Sequence, residues 1–145
     1  MNRARGEPDS NMTSATAADA APTTSLNVLV VDDELNIRKA LCACLEADGH
    51  NAISAGTAPD ALLALQRRSF DLAFVDLFLG RDSGMDLIQS LLTAAPWMKV
   101  VVITAFASVD SAVESMKRGA ADYLPKPFTP AKLVQTISDT ISRRV

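Results

Sequence analysis

The chain has 145 residues, of which 48% are apolar and 21% are charged, and its formal net charge at pH 7 is −3. This length and apolar content are ordinary for one globular domain with a hydrophobic core. The slight negative charge argues against a nucleic-acid-binding module, and no apolar run reaches the roughly 20 residues that a membrane-spanning helix needs.

Residues 1–25 are rich in Ala, Thr, Ser, Asn, Asp and Pro and contain almost no large apolar residue. Such a segment cannot bury enough apolar surface to offset the conformational entropy that is lost on folding. We therefore predict a disordered leader over residues 1–25, followed by one folded domain over residues 26–143.

From Leu26 onward, short apolar runs alternate with segments of helical periodicity, and the runs are rich in Val and Ile, as buried parallel strands are. In chain order we predict strands over 27–31, 51–55, 71–75, 99–103 and 121–124, and helices over 35–48, 58–68, 84–94, 108–118 and 130–142. Five strand–helix units favour an α/β fold, a doubly wound (βα)5 three-layer sandwich. We expect a five-stranded parallel sheet in the flavodoxin-like order 2-1-3-4-5.

Local signals mark several of the predicted helix ends. Gly49 and Gly119 follow the first and fourth helices, and glycine commonly ends a helix. Thr57 and Thr129 are the expected N-caps of the second and fifth helices, and each is followed by a proline in the first helical turn.

Two cysteines, Cys42 and Cys44, are two residues apart in the first predicted helix, so their side chains point in different directions. Their spacing matches neither a redox pair nor a zinc site. The N-terminus also lacks the apolar region of a signal peptide. We therefore expect reduced thiols and a cytoplasmic location.

Polar residues stand at the ends of four predicted strands. Asp32 and Asp33 follow the first, Asp76 the third and Thr104 the fourth, while Lys126 comes two residues after the fifth. Because the carboxyl ends of parallel strands meet at one edge of a sheet, these side chains should converge there. Hard carboxylate oxygens suit Mg²⁺, and an aspartate can accept a phosphoryl group as a nucleophile.

Each of these residues also has an ordinary structural explanation. An aspartate after the first strand could cap the next helix, Asp76 could occupy a turn, Thr104 could bond to backbone, and Lys126 could be a surface charge. Two adjacent acids at one strand end, however, repel each other unless a cation is present. The order of all these residues along four strands is more specific than any one of them.

In four stretches the sequence resembles the receiver domain of two-component response regulators: Val-Leu-Val-Val-Asp-Asp-Glu, Phe-Asp-Leu-Ala-Phe-Val-Asp-Leu, Val-Val-Ile-Thr-Ala and Gly-Ala-Ala-Asp-Tyr-Leu-Pro-Lys-Pro-Phe. The resemblance covers residues 26–143. It implies that Asp76 is the phosphoacceptor and that a sensor histidine kinase supplies the phosphoryl group. It also implies a Mg²⁺ (or Mn²⁺) site formed by Asp33, Asp76 and the backbone carbonyl of Phe78, with Asp32 binding through water.

The same resemblance implies that Thr104 and Lys126 bind phosphoryl oxygens, that the small Ala105 leaves the site open, and that Tyr123 is the switch aromatic. Phosphorylation would then remodel the face formed by the fourth helix, fifth strand and fifth helix and favour a homodimer. Apolar residues of the fourth helix are candidates for that face: Val109, Val113 and Met116. The implied role is a signalling switch rather than an enzyme, with no direct contact to nucleic acid or membrane.

The stretches Asp76-Leu-Phe-Leu-Gly, Ala95-Pro-Trp-Met-Lys-Val-Val and Thr104-Ala-Phe are similar to the receivers of NtrC-class transcriptional activators of the AlgB type. Regulators of that class carry an ATPase and a DNA-binding domain after the receiver, which implies an output in transcription. Phe106 departs from the smaller or polar residues common at its position.

Other functions stay open from the sequence. The chain could be a stand-alone receiver acting by protein contact or as a phosphorelay intermediate. A phosphohydrolase with an aspartate nucleophile would usually carry a second Asp two residues further on, where this chain has Phe78. A flavin-binding protein would need a phosphate-cradling loop after the first strand, and a non-phosphorylated pseudo-receiver would lack one of the key polar residues.

Overall fold

The computed structural model describes residues 25–142, so the predicted leader, apart from Ser25, lies outside the described residues. Seven strands form in this range: β1 (Asn27–Val31), β2 (Asn51–Ala55), β3 (Leu72–Asp76), β4 (Phe78–Leu79), β5 (Asp82–Ser83), β6 (Lys99–Thr104) and β7 (Asp122–Pro125). Five helices accompany them: α1 (Leu35–Ala47), α2 (Ala58–Arg67), α3 (Gly84–Ala94), α4 (Val109–Lys117) and α5 (Pro130–Ser142). None of these helices combines the length and apolar character needed to cross a bilayer.

The main sheet has five parallel strands in the order β2-β1-β3-β6-β7. This is the predicted order 2-1-3-4-5, because β4 and β5 form a separate two-stranded antiparallel hairpin. The α/β prediction is therefore confirmed. The hairpin lies between the third predicted strand and the third predicted helix, where no element was predicted, because strands of two residues each are too short to produce a pattern.

Two hydrophobic clusters flank the sheet. Along β1, Leu29 and Val31 belong to the cluster shared with α2 and α3, while Val28 and Val30 belong to the cluster shared with α1 and α5. All four side chains are fully buried, and each such side chain stabilises the fold by about 1.5–3 kcal/mol. A strand that is buried on both faces has no polar alternation, which is why β1, β3 and β6 are continuous apolar runs in the sequence.

The ends of β3 and β6 differ from the prediction. Asp76 pairs with Ile103 in the parallel ladder and is the last residue of β3, and Thr104 is the last residue of β6. At the other end, the Asp71 carboxylate accepts a hydrogen bond from the Asn27 amide (2.9 Å), and β3 begins one residue later. Asp76 and Thr104, which end β3 and β6, are thus positioned by the sheet itself and not by loops.

The predicted helix signals agree with the structure. The Thr57 hydroxyl accepts a hydrogen bond from the Asp60 amide, and the Thr129 hydroxyl accepts one from the Lys132 amide. Gly49 and Gly119 have positive φ angles of 90° and 108°, which glycine adopts without steric cost. Helix α4 begins one residue later than predicted.

Candidate functional site

Three aspartates meet at the carboxyl edge of the sheet. Asp32 and Asp33 follow β1, Asp76 ends β3, and one carboxylate oxygen of each lies within 4.8 Å of those of the other two. Asp32 is completely buried and Asp76 is 6% exposed, whereas Asp33 is exposed. The cluster therefore has a buried floor and one side open to solvent.

Lys126 joins two of these carboxylates. Its Nζ donates a hydrogen bond to Asp32 Oδ2 (2.7 Å) and another to Asp76 Oδ2 (2.9 Å). The Lys126 backbone amide donates to the Thr104 carbonyl (2.8 Å), which fixes the lysine at the end of β6, and the peptide bond to Pro127 is cis. A buried charge is tolerated only when it is paired, and these contacts pair the ammonium twice.

The pKa values of Asp76 and Lys126 both lie above their ordinary ranges. Burial raises the pKa of Asp76, and the hydrogen bonds from Lys126 and the Phe78 amide offset only part of that effect. Burial lowers the pKa of Lys126, but its hydrogen bonds with Asp32 and Asp76 outweigh burial, so the net change is upward. Lys126 therefore remains charged at neutral pH and neutralises part of the carboxylate charge.

Asp32 is held through both its side chain and its backbone. Its Oδ1 accepts a hydrogen bond from the Glu34 amide (2.9 Å), and its carbonyl accepts one from Arg38 Nη1 (2.8 Å). The residue at the N-cap of α1 is Glu34, so the alternative that Asp32 or Asp33 caps this helix is wrong. Arg38 was not singled out from the sequence, because an arginine in a helix gives no sign that it reaches back six residues.

Gly84 is a second residue that sequence reasoning missed. A Cβ at this position would overlap the Asp76 carbonyl and stand 2.6 Å from Leu77 Cα, and the Gly84 amide donates to the Leu77 carbonyl (3.0 Å). Only glycine allows the start of α3 to press against the backbone of Asp76. A glycine at the first position of a helix, soon after an acidic strand end, was the available signal.

Thr104 and Ala105 lie at the same edge, on the strand next to β3. Thr104 is completely buried, and its Oγ1 accepts a hydrogen bond from the Phe106 amide (3.1 Å). Asp76 pairs with Ile103, so Thr104 stands one residue further along the neighbouring strand. Ala105 is exposed beside it, and its methyl side chain occupies little of the opening.

Tyr123 is half-buried on β7 and pairs with Val102, two residues before Thr104, so both side chains share one face of the sheet. Its hydroxyl lies 2.6 Å from Ser111 Oγ and accepts a longer hydrogen bond from the Ser108 amide (3.4 Å). Ser108 and Ser111 form the capping box of α4. Tyr123 is therefore connected to the beginning of α4.

The structure thus brings Asp32, Asp33, Asp76, Thr104 and Lys126 to one sheet edge, as the sequence predicts. Phe78 stands at the same edge, since its amide donates to Asp76 Oδ1 (3.1 Å). Such an arrangement offers oxygen ligands for a cation, an aspartate as nucleophile, and a cation and a hydroxyl for an anionic group.

Comparison with known proteins identifies the family. The sequence model of the response regulator receiver domain matches residues 28–138. The chain belongs to this receiver domain family. Receiver domains are signalling proteins that interact with sensor kinases and bind Mg²⁺ at an acidic pocket, and the three-aspartate cluster of this receiver domain is such a pocket in composition.

The receiver domain is similar to part of larger regulators. It is 47% identical over 106 residues to the alginate biosynthesis transcriptional regulatory protein AlgB of Pseudomonas aeruginosa. The aligned residues make up 73% of this chain and 24% of AlgB. The chain spans about a quarter of the length of the AlgB relatives that it matches. These relatives are NtrC-class transcriptional regulators.

Solved structures show the same fold. NtrX from Brucella abortus has a TM-score of 0.78 and 32% identity, covering 81% of this chain and 27% of that one. A response regulator protein from Burkholderia pseudomallei, solved with a phosphorylated aspartic acid, a calcium ion and citrate, has a TM-score of 0.71 and 32% identity. That comparison covers 82% of this chain and 76% of the Burkholderia chain.

Proposed function

We propose that this receiver domain, over residues 26–143, is a phosphorylation-activated switch in which Asp76 accepts a phosphoryl group from a sensor histidine kinase. The observation that carries the proposal is the double hydrogen bond of Lys126 to Asp32 and Asp76 beside an exposed third acid, Asp33. A cation placed on a nearly buried aspartate prepares that aspartate to receive an anionic group. The Burkholderia protein, which carries a phosphorylated aspartic acid, supports this role by similarity.

The acidic cluster fits a divalent cation, because it consists of hard oxygen donors that meet within one small opening. We assign the Mg²⁺ (or Mn²⁺) ligands to the side chains of Asp33 and Asp76 and the carbonyl of Phe78, with Asp32 acting through water. When bound, the cation offsets the repulsion between the carboxylates and the incoming phosphoryl group.

The residues of the chain then have separate tasks in phosphoryl transfer. An Asp76 carboxylate oxygen forms a bond to phosphorus while the bond between phosphorus and the nitrogen of the kinase phosphohistidine breaks, and the histidine keeps the electron pair. Lys126 neutralises charge on the transferred group, and Thr104 donates its hydroxyl hydrogen to a phosphoryl oxygen. Ala105 leaves room for the donor. Positioning and charge neutralisation are the main requirements of this reaction.

The output of the switch follows from Thr104 and Tyr123. When the Thr104 hydroxyl turns to the phosphoryl group, the space beside it opens to Tyr123, which lies on the same face of the sheet. Movement of Tyr123 breaks its hydrogen bond to Ser111 and releases the beginning of α4. The face formed by α4, β7 and α5 changes as a result, which is a shift between two conformations rather than a catalytic cycle.

Helix α4 supplies a surface for the homodimer that we propose on activation. Val109, Val113 and Met116 lie on one side of the helix and are exposed by 79%, 47% and 44%. These three side chains therefore lie on the surface and not in the core. By similarity to AlgB, the dimer controls transcription through a larger regulator in the cytoplasm, without direct contact between this segment and nucleic acid.

Phosphorylation can be tested with acetyl phosphate, a small phosphodonor, in place of the kinase. The purified chain is incubated with acetyl phosphate and Mg²⁺ and analysed by intact mass. We expect one phosphoryl adduct on the wild-type chain and none on Asp76→Asn. Asp60→Asn, which removes an exposed carboxylate on α2, is the matched control and should be labelled like the wild type.

Omission of Mg²⁺ tests the metal assignment separately. Labelling should be lost without the ion and return when Mg²⁺ or Mn²⁺ is added, and Asp33→Asn should require more metal for the same labelling. An equal adduct on Asp76→Asn would exclude Asp76 as the phosphoacceptor. An equal amount of adduct with and without Mg²⁺ would exclude the metal site.

A further inference from the structure

The hairpin of β4 and β5 contacts the acidic cluster. The Phe78 amide donates to Asp76 Oδ1 (3.1 Å), and a Cβ added at Gly80, in the turn of the hairpin, would lie 3.8 Å from Asp33 Oδ2. The hairpin therefore lies beside both of the acids whose side chains we assign to the metal. An isolated two-stranded hairpin is at best marginally stable in water, so contacts outside the hairpin have to hold it in place.

Asp82 connects this hairpin to α2. Its Oδ2 accepts a hydrogen bond (2.9 Å) from the amide of Ala58, the first residue of α2. The first N–H groups of a helix have no partner within the helix, and the helix dipole also favours a carboxylate there. Asp82 is half-buried and pairs with Leu79 across the hairpin. Since Leu79 directly follows Phe78, the contact with α2 helps to fix the strand that carries the Phe78 carbonyl.

A second cap of α2 comes from the chain just before the helix. Thr57 is the N-cap residue, and its Oγ1 accepts a hydrogen bond from the Asp60 amide (3.1 Å). The two caps differ in what they join, because Thr57 bonds within the first turn of α2 whereas Asp82 joins that turn to the hairpin beside the acidic cluster. Stabilisation of the helix can therefore be separated by experiment from placement of the hairpin.

We propose that Asp82 is a positioning residue for the metal site, which holds β4 so that the Phe78 carbonyl can complete the ligands supplied by Asp33 and Asp76. The inference rests on the metal ligands assigned under the proposed function. Without the bond to α2 the hairpin is less restrained, so a cation must order it on binding, and this cost lowers the affinity. Because such coupling is reciprocal, a bound cation in turn restrains the first turn of α2.

The test measures Mg²⁺ affinity directly, with no phosphodonor present. The whole chain is titrated with MgCl₂, and the backbone amide signals are followed by NMR. We expect Asp82→Ala to bind Mg²⁺ about tenfold more weakly, the lower end of what loss of an outer partner costs at a metal site. Asp82→Asn keeps an oxygen acceptor for the Ala58 amide and should stay close to the wild-type affinity, because asparagine caps a helix about as well as aspartate.

Amide hydrogen exchange gives a second readout of the same coupling. Mg²⁺ should slow exchange over residues 58–61 in the wild type and should not do so in Asp82→Ala. The wild-type part of this measurement needs no variant to fold. Unchanged exchange over residues 58–61 when the wild type binds Mg²⁺ would overturn the proposal.

Thr57→Ala is the matched control, because it removes a cap from the same helix but leaves the bond between Asp82 and α2. It should destabilise the start of α2 and leave the Mg²⁺ affinity unchanged. A loss of affinity in Thr57→Ala as large as in Asp82→Ala would overturn the proposal, since a loosened helix would then be sufficient. Wild-type affinity in Asp82→Ala would overturn it too.

Two further outcomes separate contact from charge and this inference from the proposed function. An affinity of Asp82→Asn as low as that of Asp82→Ala would show that the charge of Asp82 acts instead of its bond to Ala58, and would overturn the positioning role. Failure of the wild-type chain to bind Mg²⁺ would instead overturn the metal assignment of the proposed function, and this inference with it.

Discussion

The hydroxyl of Tyr123 lies 2.6 Å from Ser111 Oγ, and this hydrogen bond connects β7 to the first turn of α4. Ser111 also belongs to the capping box, since its backbone amide donates a hydrogen bond to Ser108 Oγ (3.0 Å). One tyrosine thus contacts the residues that begin the helix carrying the exposed apolar side chains. A movement of Tyr123 would therefore alter the hydrogen bonds at the N-terminus of α4.

Removal of the Tyr123 hydroxyl should loosen the start of α4. We expect Tyr123→Phe to raise the rate of amide hydrogen exchange over residues 108–113, and to lower the free energy of unfolding by about 0.5–1.5 kcal/mol, the usual contribution of one hydrogen bond. Exchange measured by mass spectrometry and urea unfolding give the two quantities. Thr93→Ala, which removes a hydroxyl bonded within α3, is the control and should leave α4 unchanged. Unaltered exchange at α4 in Tyr123→Phe would show that the bond does not hold the helix.

Substitution of Lys126 should strongly destabilise the chain when no divalent cation is present. Lys126→Met keeps the apolar length of the side chain but leaves the buried Asp32 and Asp76 without their shared cation. We expect a loss of roughly 3–5 kcal/mol, the cost of removing one partner from a buried ion pair. Urea unfolding in a chelating buffer at pH 7 measures it. Lys132→Met, on the exposed side of α5, is the matched control. If Lys126→Met lost no more stability than Lys132→Met, the ion pairs of Lys126 with Asp32 and Asp76 would not stabilise the fold.

Neutralisation of Asp76 should stabilise the metal-free chain at neutral pH. The pKa of Asp76 is raised in the folded state, mainly by burial, so the folded chain binds its proton more readily than the unfolded chain does. The stability linked to this group is therefore present below the unfolded pKa and is lost as the pH rises through the folded pKa. Asp76→Asn should shift the urea midpoint upward at pH 7, and this gain should shrink as the pH falls towards the ordinary range of aspartate. A gain that grows at acidic pH would contradict the direction of the shift.

A side chain at Gly84 should destabilise the chain. The methyl group of Gly84→Ala would overlap the backbone of Asp76 and Leu77, and overpacking of this kind costs about 1–3 kcal/mol. We expect lower stability in urea and slower labelling by acetyl phosphate, because the backbone of the phosphoacceptor must shift. At Gly56 the added methyl would meet only the flexible end of Arg38, so Gly56→Ala is the control with the smaller loss. Equal losses in both variants would argue against a special role of Gly84.

The exposed face of α4 should govern self-association after phosphorylation. Val113→Asp places a charge among Val109 and Met116, and we expect dimerisation to weaken about tenfold or more, as at a central interface residue. Analytical ultracentrifugation with and without acetyl phosphate measures the change. Leu63→Asp alters a similarly exposed apolar residue on α2 and should leave the dimer intact. An unchanged dimer in Val113→Asp would place the contact on another surface.

The fold and the order of the polar residues follow directly from the pattern of the chain. Strands buried on both faces appear as unbroken apolar runs, and parallel strands joined by helices bring their carboxyl ends to the same edge. For that reason the sequence alone predicts that Asp32, Asp76 and Thr104 lie close together. The aligned ends are a property of topology and need no knowledge of side-chain contacts.

Packing between distant segments set the remaining features. Nothing local indicates that Asp32 is buried while its neighbour Asp33 is exposed, or that Lys126 contacts two acids 94 and 50 residues away. The close approach of Gly84 to Asp76 likewise depends on where α3 packs. The periodicity of neighbouring residues predicts which face of a helix or strand is apolar. Distances and burial at the site arise only when β1, β3, β6 and β7 pack side by side, so they depend on the whole domain at once.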